Sequence, residues 1–424
     1  MSKKVLVVGG GGREHALAWK LSQSPQVSKI YISPGNGGTA LVGKNVEIGP
    51  TDKDNLLSFA KEKNIDLTVI GQEAASEGGV VDLFKANGLA VFGPSKSAAK
   101  IESSKTFSKD LMKQQNIPTA NYRNFNNPKV ALTYIKSKKL PLVIKADGLA
   151  AGKGVVIVHT LAAAKEAIND IMVKKSFGES GNKVVVEDFL SGQEVSMHAI
   201  CDGKTAVMFP PSQDHKQIYD NDKGPNTGGM GVIAPLPWLD QDTASKVEKE
   251  VVLPALDGLR KSGAKFSGCL YPGLMIDKNA IKVLEFNARF GDPEAEVYMR
   301  LLEGDFYQIL HDCAAGRLKP ESVRWRPGFA VSVVLASAGY PGKYQKGVAI
   351  SGIEAAEKLA DIVIFHAGTT KKNGKYATAG GRVLNVTATS GTLDVALAKA
   401  YQAVKLIRFE GMQYRSDIGQ RQVT

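Results

Sequence analysis

The stretch Val283-Leu-Glu-Phe-Asn-Ala-Arg-Phe-Gly-Asp-Pro-Glu294 places an acid, an amide and a guanidinium at the end of one apolar run. The run Val283–Asn287 is typical of a buried strand, and alternation along a strand puts Glu285 and Asn287 on one face, about 7 Å apart. A carboxylate and an amide oxygen suit Mg²⁺, which shares its shell with nucleotide phosphates. Arg289 can face the same way and neutralise phosphate charge. The stretch predicts a metal–phosphate strand; the alternative is an edge strand with solvated polar residues.

A second segment supports this interpretation. The apolar run Leu142–Ile144 ends in Lys145, and Ala-Asp-Gly-Leu-Ala-Ala-Gly-Lys-Gly follows before the strand Val155–Val158. A strand–glycine loop–strand with two lysines, Lys145 and Lys153, predicts a flap whose backbone N–H groups close over phosphate oxygens. It is not a Walker A loop, because glycine follows Lys153. A hairpin with two solvated lysines is the alternative.

The run Val184–Leu190, followed after Ser191 by Gly-Gln-Glu194, is typical of a strand that leads into a hinge. Such a hinge offers backbone groups to an adenine edge and a carboxylate to a ribose. Upstream, a helix over about 102–115 carries Lys105.

Over the first hundred residues, short apolar runs alternate with helical patterns, which predicts a parallel sheet with helices on both faces. The glycine-rich turn that starts at Gly9 can bind phosphate or carboxylate at a helix N-terminus. It is not a dinucleotide fingerprint, because Glu14 stands where the third glycine is required. The predicted strands are Val5–Val8, Lys29–Ser33, Val46–Ile48, Leu67–Ile70 and Leu89–Phe92, and the predicted helices are Glu14–Ser24, Asp52–Asn64 with Thr51 as N-cap, and Gly79–Asn87.

Taken in order, these segments resemble the ATP-grasp superfamily, in which two α+β subdomains clamp a nucleotide. Five further motifs are similar to the phosphoribosylamine–glycine ligase family within it, from Lys4 to about Gly419. The motifs Gln213–Lys216 and Gly224–Gly231 are highly specific to that family, and the glycine-rich start is not. The motifs are Gly9-Gly-Gly-Gly-Arg-Glu-His15, Pro34-Gly-Asn-Gly-Gly38, Gln213-Asp-His-Lys216, Gly224-Pro-Asn-Thr-Gly-Gly-Met-Gly231 and Gly339-Tyr-Pro-Gly342.

The patterns and the resemblance together imply a multidomain α/β and α+β fold. A Rossmann-like parallel-sheet domain is expected over residues 1–103, an ATP-grasp domain over 104–327, and a small mixed-β domain over 328–424. Within the ATP-grasp domain, the lid is expected at about 119–195 and the central sheet at about 196–327.

The resemblance also implies a reaction: ATP-dependent ligation of glycine to 5-phosphoribosylamine through glycyl phosphate, giving glycinamide ribonucleotide, ADP and phosphate in purine synthesis. It assigns Mg²⁺ or Mn²⁺ to Glu285 and Asn287, and catalytic roles to Arg289, Asp214 and Lys145. ATP is assigned to Lys105, Lys145, Glu187, Phe189, Leu190 and Glu194. The other substrates are assigned to Gly10, Gly11, Gly12, Asp214, Lys216, Asn226, Thr227, Gly228, Gly229 and Arg289.

One role stays open at this level. Asp214 beside His215 can orient or deprotonate the incoming ammonium, and the pair can equally cap its own loop. Five positions depart from the family pattern without removing a phosphate or metal residue: Gln72, Ala75, Gln193, Gln217 and Glu296.

Composition narrows the class of protein. A chain of 424 residues predicts two to four domains. Its three cysteines lack metal-ligand spacing and indicate a reducing compartment. No signal peptide or membrane-length apolar run is recognisable, so we expect a cytoplasmic protein without a membrane partner. The net charge of +12 comes from basic residues spread as single residues or pairs, which favours small anionic substrates over nucleic acid. A monomer or weak homodimer is expected.

Three rival functions remain at this stage. They are another ATP-grasp carboxylate–amine ligase or biotin-dependent carboxylase, a nicotinamide-dependent oxidoreductase, and a nucleotide-sensing protein without turnover.

Overall fold

The computed structural model describes residues 2–149, 154–278 and 280–420, and begins with a five-stranded sheet whose neighbouring strands are all parallel. The predicted parallel sheet is therefore confirmed. The strands are β1 (Lys3–Gly9), β2 (Val27–Pro34), β3 (Lys44–Asn45), β4 (Leu67–Ile70) and β5 (Val91–Phe92), in the order β3-β2-β1-β4-β5. The helices are α1 (Gly12–Leu21), α2 (Lys53–Lys63), α3 (Glu73–Glu77) and α4 (Val80–Ala86).

Strand β1 is apolar throughout because the sheet is covered on both faces. Leu6 and Val8 pack in one cluster with the outer helices, whereas Val5 and Val7 pack in another that reaches the middle of the chain. Two local predictions were wrong. The third strand precedes Val46, and the N-cap of α2 is Asp52, whose carboxylate accepts the N–H of Asn55 at 3.3 Å.

The predicted helix over 102–115 is two helices, α5 (Lys96–Ser103) and α6 (Lys105–Gln114). Ser104 has extended backbone and its hydroxyl accepts the N–H of Phe107 at 3.2 Å, so a new N-cap interrupts the helical pattern. Lys105 therefore begins a helix instead of lying within one.

The segment predicted as the lid contains an antiparallel sheet in the order β6-β9-β7-β8. The predicted pairing on either side of the flap is present, since Leu142–Lys145 pairs with Val155–Val158. The flap tip, residues 150–153 with Lys153, lies outside the described residues. The elements are β6 (Tyr122–Phe125), α7 (Pro128–Lys136), β7 (Leu142–Ala146), β8 (Val155–Val158), α8 (Leu161–Ile168) and β9 (Val184–Asp188).

The central part contains a second antiparallel sheet, β10-β17-β11-β12, with β18 added along β17. This part of the chain, which includes strands outside that sheet, has the strands β10 (Gln193–Ser196), β11 (Ala199–Cys201), β12 (Ala206–Met208), β13 (Gln213–Asp214), β14 (Gln217–Tyr219), β15 (Lys223–Asn226), β16 (Gly231–Ala234), β17 (Gly268–Asp277), β18 (Ala280–Asn287), β19 (Leu302–Glu303) and β20 (Arg324–Trp325). Its helices are α9 (Gln241–Val247), α10 (Leu253–Lys261), α11 (Glu294–Leu301) and α12 (Phe306–Ala314).

The C-terminal part forms a sheet that also takes in β13 and β16, in the order β13-β16-β21-β26-β23. The segment 213–231 is thus paired with the C-terminal sheet, and its first residue also reaches the central sheet, because Gln213 donates to the carbonyl oxygen of Glu194 on β10 at 3.0 Å. The remaining elements are β21 (Phe329–Ala336), β22 (Ala349–Ile350), α13 (Ile353–Glu357), β23 (Ile362–His366), β24 (Thr369–Lys372), β25 (Lys375–Thr378), β26 (Arg382–Ser390) and α14 (Leu393–Val404). None of the helices within the described ranges has the length and apolar character to cross a membrane.

Candidate active site

Strand β18 carries a β-bulge immediately before Glu285. Gly273 of β17 pairs with Glu285 and Leu274 pairs with Val283, so Leu284 is an extra residue on β18. The bulge changes the phase of the strand: Val283 and Phe286 both enter the hydrophobic core. Simple alternation would give Glu285 and Val283 the same face, and the bulge separates them.

The bulged residue is held by the lid. The Nζ of Lys145, on β7, donates to the carbonyl oxygen of Leu284 at 2.9 Å and forms an ion pair with Oε1 of Glu187 on β9. The Nζ of Lys109, on α6, lies 2.5 Å from the other oxygen, Oε2. Lys109 also donates to the hydroxyl of Thr119 at 2.6 Å. Glu187 therefore pairs with two buried lysines, one on β7 and one on α6.

These charges support one another in a buried setting. Burial alone would raise the pKa of Glu187, but Lys145 and Lys109 outweigh it and lower that pKa. Burial would likewise lower the pKa of Lys145, and Glu187 and Glu285 instead raise it. Burial lowers the pKa of Lys109, and Glu187 opposes that shift.

Glu285 is ionised for the same reason. Burial opposes its charge, whereas Lys105, Lys145, Lys216 and Arg289 lower its pKa. An ionised carboxylate among four cations is suited to a divalent cation with an attached polyphosphate. Among the described residues there is no group of three or more His, Cys, Asp or Glu side chains that could hold a metal. A cation here would thus depend on Glu285, Asn287, phosphate oxygens and water.

Lys105 lies where the lid flap begins. Its Nζ donates to the carbonyl oxygen of Gly148 at 2.9 Å. The adjacent carboxylate of Asp147 accepts the N–H of Thr106 at 3.0 Å and the hydroxyl of Ser104 at 3.1 Å. The start of the flap is thereby fixed to the N-terminus of α6.

Arg289 is surrounded by acceptors. Its Nε lies 3.0 Å from Oε2 of Glu73 and 3.1 Å from Oε1 of Glu102, as ion pairs rather than aligned hydrogen bonds. Nη1 donates to the carbonyl oxygen of Phe290 and Nη2 to Oδ1 of Asn287, both at 3.2 Å. The Asn287 oxygen keeps a second lone pair, which fits a metal ligand.

The loop after β13 contributes a second charged group. Lys216 Nζ lies 2.7 Å from Oδ2 of Asp214, and the Oδ1 atom has no hydrogen-bond partner among the described residues. Burial raises the pKa of Asp214 to about 7, although Lys216 opposes the shift. A carboxyl with that pKa can exchange a proton near neutrality.

His215 has a structural role. Its Nδ1 lies 3.1 Å from the carbonyl oxygen of Gly231, and its Nε2 accepts the N–H of Gly419 at 3.2 Å. Burial lowers the pKa of this imidazole to about 4, so it is neutral. The neighbouring histidine thus fixes the loop, and Asp214 is the ionisable member of the pair.

Behind Asp214 lies another buried acid, Glu294, at the start of α11. It accepts the hydroxyls of Tyr271 at 2.7 Å and Ser196 at 2.9 Å. Burial would raise its pKa, but Lys216 and other donors lower it to about 2.

The glycine-rich loop 224–231 is shaped by its neighbours. Gly229 has φ +111°, and a Cβ there would lie 2.6 Å from Oδ1 of Asp214, so only glycine fits. Thr227 donates from its hydroxyl to the carbonyl oxygen of Lys216 at 2.8 Å. Asn226 is exposed and accepts from Gln217 at 3.1 Å.

A cavity of about 400 Å³ lies beside this loop, between the N-terminal and C-terminal parts. Arg382 supplies its cation and donates from Nη1 to the carbonyl oxygens of Gly228 at 2.7 Å and Asp292 at 2.8 Å. The cavity is lined by Gly10, Gly11, Pro34, Gly35, Pro50, Gln72, Asp292, Tyr340, Ala367, Gly368 and Arg382.

The predicted glycine turn enters this cavity only in part. Gly10 and Gly11 line it, whereas a Cβ at Gly12 would collide with Asn385 and Glu296 in the interior. The N–H of Gly11 already donates to Glu14 at 2.6 Å, so a carboxylate of α1 itself occupies part of the anion-binding N-terminus of this helix.

At the predicted adenine hinge, Phe189 is 41% exposed and offers a ring for stacking. Leu190 is half-buried next to it. Burial raises the pKa of Glu194, and its carbonyl oxygen accepts from Gln213 at 3.0 Å. Phe189 and Leu190 directly follow β9, the strand that carries Glu187.

Four residues that the structure brings to the site were not predicted from the sequence, and a fifth, Tyr340, was quoted only within a motif. The four are Lys109, Glu73, Glu102 and Arg382. One signal was available, because Lys105 and Lys109 are four residues apart and share a helix face. The others arrive from distant segments.

Comparison with known proteins gives a consistent result along the chain. Models of the phosphoribosylglycinamide synthetase N domain, ATP-grasp (A) domain and C domain match residues 3–102, 103–295 and 330–421. The phosphoribosylamine–glycine ligase of Brucella melitensis is 48% identical over 420 residues, covering 99% of this chain and 98% of the relative. The crystal structure of the Thermotoga maritima phosphoribosylamine–glycine ligase is 36% identical, with a TM-score of 0.85 over 98% of this chain and 99% of that one.

A more distant structure shares the fold alone. The biotin carboxylase of Campylobacter jejuni, in complex with an ATP analogue, superposes with a TM-score of 0.73 at 14% identity, over 97% of this chain and 92% of that one.

Proposed function

The chain belongs to the phosphoribosylglycinamide synthetase family, an ATP-dependent ligase family of purine biosynthesis, and we propose that it joins glycine to 5-phosphoribosylamine through glycyl phosphate. A carboxylate oxygen of glycine attacks the γ-phosphorus, and the bond to ADP breaks. The amine nitrogen of 5-phosphoribosylamine then attacks the acyl carbon, loses a proton, and inorganic phosphate leaves. The product is glycinamide ribonucleotide.

The observation that carries this proposal is the ionised Glu285 among Lys105, Lys145, Lys216 and Arg289. The reaction needs phosphate charge neutralised and the partners held in line, with little work for a protein nucleophile. Glu285 and Asn287 would hold Mg²⁺ or Mn²⁺, which supplies charge neutralisation when bound. Lys105 and Lys145 would contact ATP phosphates, and the segment from Glu187 to Glu194 the nucleoside.

The acceptor fits the 400 Å³ cavity. Gly10 and Gly11 line one wall and Arg382 another, so a ribose phosphate would meet closely approaching glycine backbone and a cation. Asp214, with its pKa near 7, is the group that receives the amine proton, while Lys216, Arg289 and residues 226–229 face the acyl phosphate.

Two further properties rest on the same proposal. The cysteines at 201, 269 and 313 are free and buried, which fits a cytoplasmic protein. The oligomeric state, a monomer or weak homodimer, stays a prediction.

The test is an ADP-release assay with 5-phosphoribosylamine generated in place. We expect ADP only when glycine and 5-phosphoribosylamine are both present, and a product with the mass of glycinamide ribonucleotide. ADP release that needs bicarbonate and biotin would indicate a carboxylase. ATP binding without phosphate release under any acceptor would indicate a nucleotide sensor.

A further inference from the structure

Arg289 is held from two parts of the chain. Glu102, on α5, approaches Nε at 3.1 Å and also accepts the N–H of Ala288 at 2.8 Å, so it stabilises the local turn after β18. Glu73 approaches the same Nε at 3.0 Å from α3 in the N-terminal domain. The opposite edge of the guanidinium, Nη2, is on Asn287. Two carboxylates thereby fix one edge while the other faces a proposed metal ligand.

Glu73 follows directly after a wall of the acceptor cavity. Gln72 lines that cavity and is the N-cap residue of α3, and Glu73 is the first residue of the helix. One peptide bond therefore separates a residue of the cavity wall from the ion-pair partner of Arg289. Arg13 lies 3.8 Å away on the same carboxylate.

The two carboxylates differ in charge state. Burial would raise the pKa of Glu73, but Arg289 and Arg13 outweigh it and lower that pKa to about 2. Burial raises the pKa of Glu102, and Arg289 opposes the shift only in part. Glu73 is thus a charged partner of Arg289 at neutral pH.

We propose that Glu73 is a positioning residue for ligation, holding Arg289 by Nε so that Nη2 stays on Asn287 and the acceptor cavity is linked to the metal strand. The inference rests on the proposed function, because it needs both sites to be used in one reaction. Glu73 touches no reacting atom and acts through Arg289.

A purely structural ion pair would behave differently. The Glu73 side chain is 32% exposed, and partly exposed ion pairs add little to stability. Replacing it by an amide would then leave kinetics unchanged. A positioning residue instead affects the turnover number, because small displacements of a phosphate-facing guanidinium reduce the rate strongly.

The experiment compares Glu73→Gln and Glu73→Asp with Glu77→Gln, a matched control at an exposed position of the same helix. For each full-length variant, kcat, the KM of each substrate, the unfolding temperature and the Kd of Mn²⁺ in the presence of ADP are measured. We expect Glu73→Gln to lower kcat about tenfold and weaken Mn²⁺ binding, with the ATP KM unchanged. Glu73→Asp should recover part of both losses.

Two results would overturn the positioning role. One is a Glu73→Gln protein that matches Glu77→Gln in kcat and in Mn²⁺ affinity. The other is a loss of kcat that merely follows the fraction of folded protein. Failure of the wild type to form glycinamide ribonucleotide would overturn the proposed function instead, and the Mn²⁺ affinities would still decide whether Glu73 acts on the metal strand.

Discussion

The Nζ of Lys145 donates a 2.9 Å hydrogen bond to the carbonyl oxygen of Leu284, the residue that the bulge adds to β18. This contact joins the lid to the strand that presents Glu285. Lys145 is also an ion-pair partner of Glu187. One side chain therefore contacts both the strand before the proposed nucleotide hinge and the strand of the proposed metal site. Leu284 itself has no pairing partner on β17.

Lys109 should affect ATP binding although we assign it no direct contact with ATP. In Lys109→Met, Glu187 keeps Lys145 as its single lysine partner, so Lys145 is held more firmly away from phosphate. We expect the ATP KM to rise about tenfold, with a loss of stability of about 3 kcal/mol from the buried carboxylate left half paired. Steady-state kinetics and chemical denaturation measure the two effects.

The matched control is Lys113→Met, since Lys113 is exposed on the same helix. An unchanged ATP KM in Lys109→Met, next to an unchanged value in the control, would contradict the role assigned to the lysine pair.

Asp214 should set the pH dependence of ligation. Burial raises its pKa to about 7 from an ordinary 3.8, so it can accept the amine proton only above that pH. We expect kcat/KM for 5-phosphoribosylamine to rise with pH and level off above about 7. In Asp214→Asn, kcat/KM should be low and should no longer rise with pH over this range. A wild-type kcat/KM for 5-phosphoribosylamine that does not rise between pH 6 and 8 would exclude the proton-acceptor role.

The same shift has a consequence for stability. Between about pH 4 and 7 the folded protein holds a proton on Asp214 that the unfolded chain releases, so this carboxyl makes the fold less stable as the pH rises through that window. Denaturation of Asp214→Asn should show a weaker dependence on pH over that range.

Substitution of Arg382 should weaken binding of the acceptor and leave binding of ATP nearly unchanged. Arg382→Lys replaces a rigid planar guanidinium by a compact ammonium, so the geometry that bonds Gly228 and Asp292 and also presents a cation to the cavity is lost. We expect the KM for 5-phosphoribosylamine to rise about 10- to 100-fold, since charge-assisted contacts contribute about 1.5–3 kcal/mol, and the ATP KM to stay within about twofold. Arg324→Lys, at an exposed position, is the control. Equal rises in both KM values would show that the cavity does not bind the acceptor selectively.

The N-terminal sheet was predictable because its signal is local. Val5 to Val8 form a continuous apolar run, which a strand covered on both faces requires. The third strand was misplaced by two residues, since Lys44–Asn45 carries no apolar signal and is a strand only through its pairing with β2. The local sequence pattern predicts a strand well when burial of its side chains determines the strand. It predicts a strand poorly when only pairing with a neighbouring strand does so.

The site was predictable in its residue types but not in its geometry. Glu285 and Asn287 follow from strand alternation, whereas the bulge at Leu284 depends on pairing with β17 and leaves no mark in the sequence. Glu73 lies more than two hundred residues before Arg289, and a single sequence gives no means to pair them. The loop at Gly231 joins Val333 of the C-terminal sheet for the same long-range reason.

The most direct measurement is glycine- and 5-phosphoribosylamine-dependent ADP release by Glu285→Ala, compared with the wild type and with Lys282→Ala, an exposed position on the same strand. We expect a loss of at least about a hundredfold in Glu285→Ala with the circular dichroism spectrum retained, because the proposed metal ion loses its carboxylate ligand and no longer neutralises the phosphate charge. Lys282→Ala should keep the wild-type rate. Turnover of Glu285→Ala at the wild-type rate would contradict the metal–phosphate site on β18.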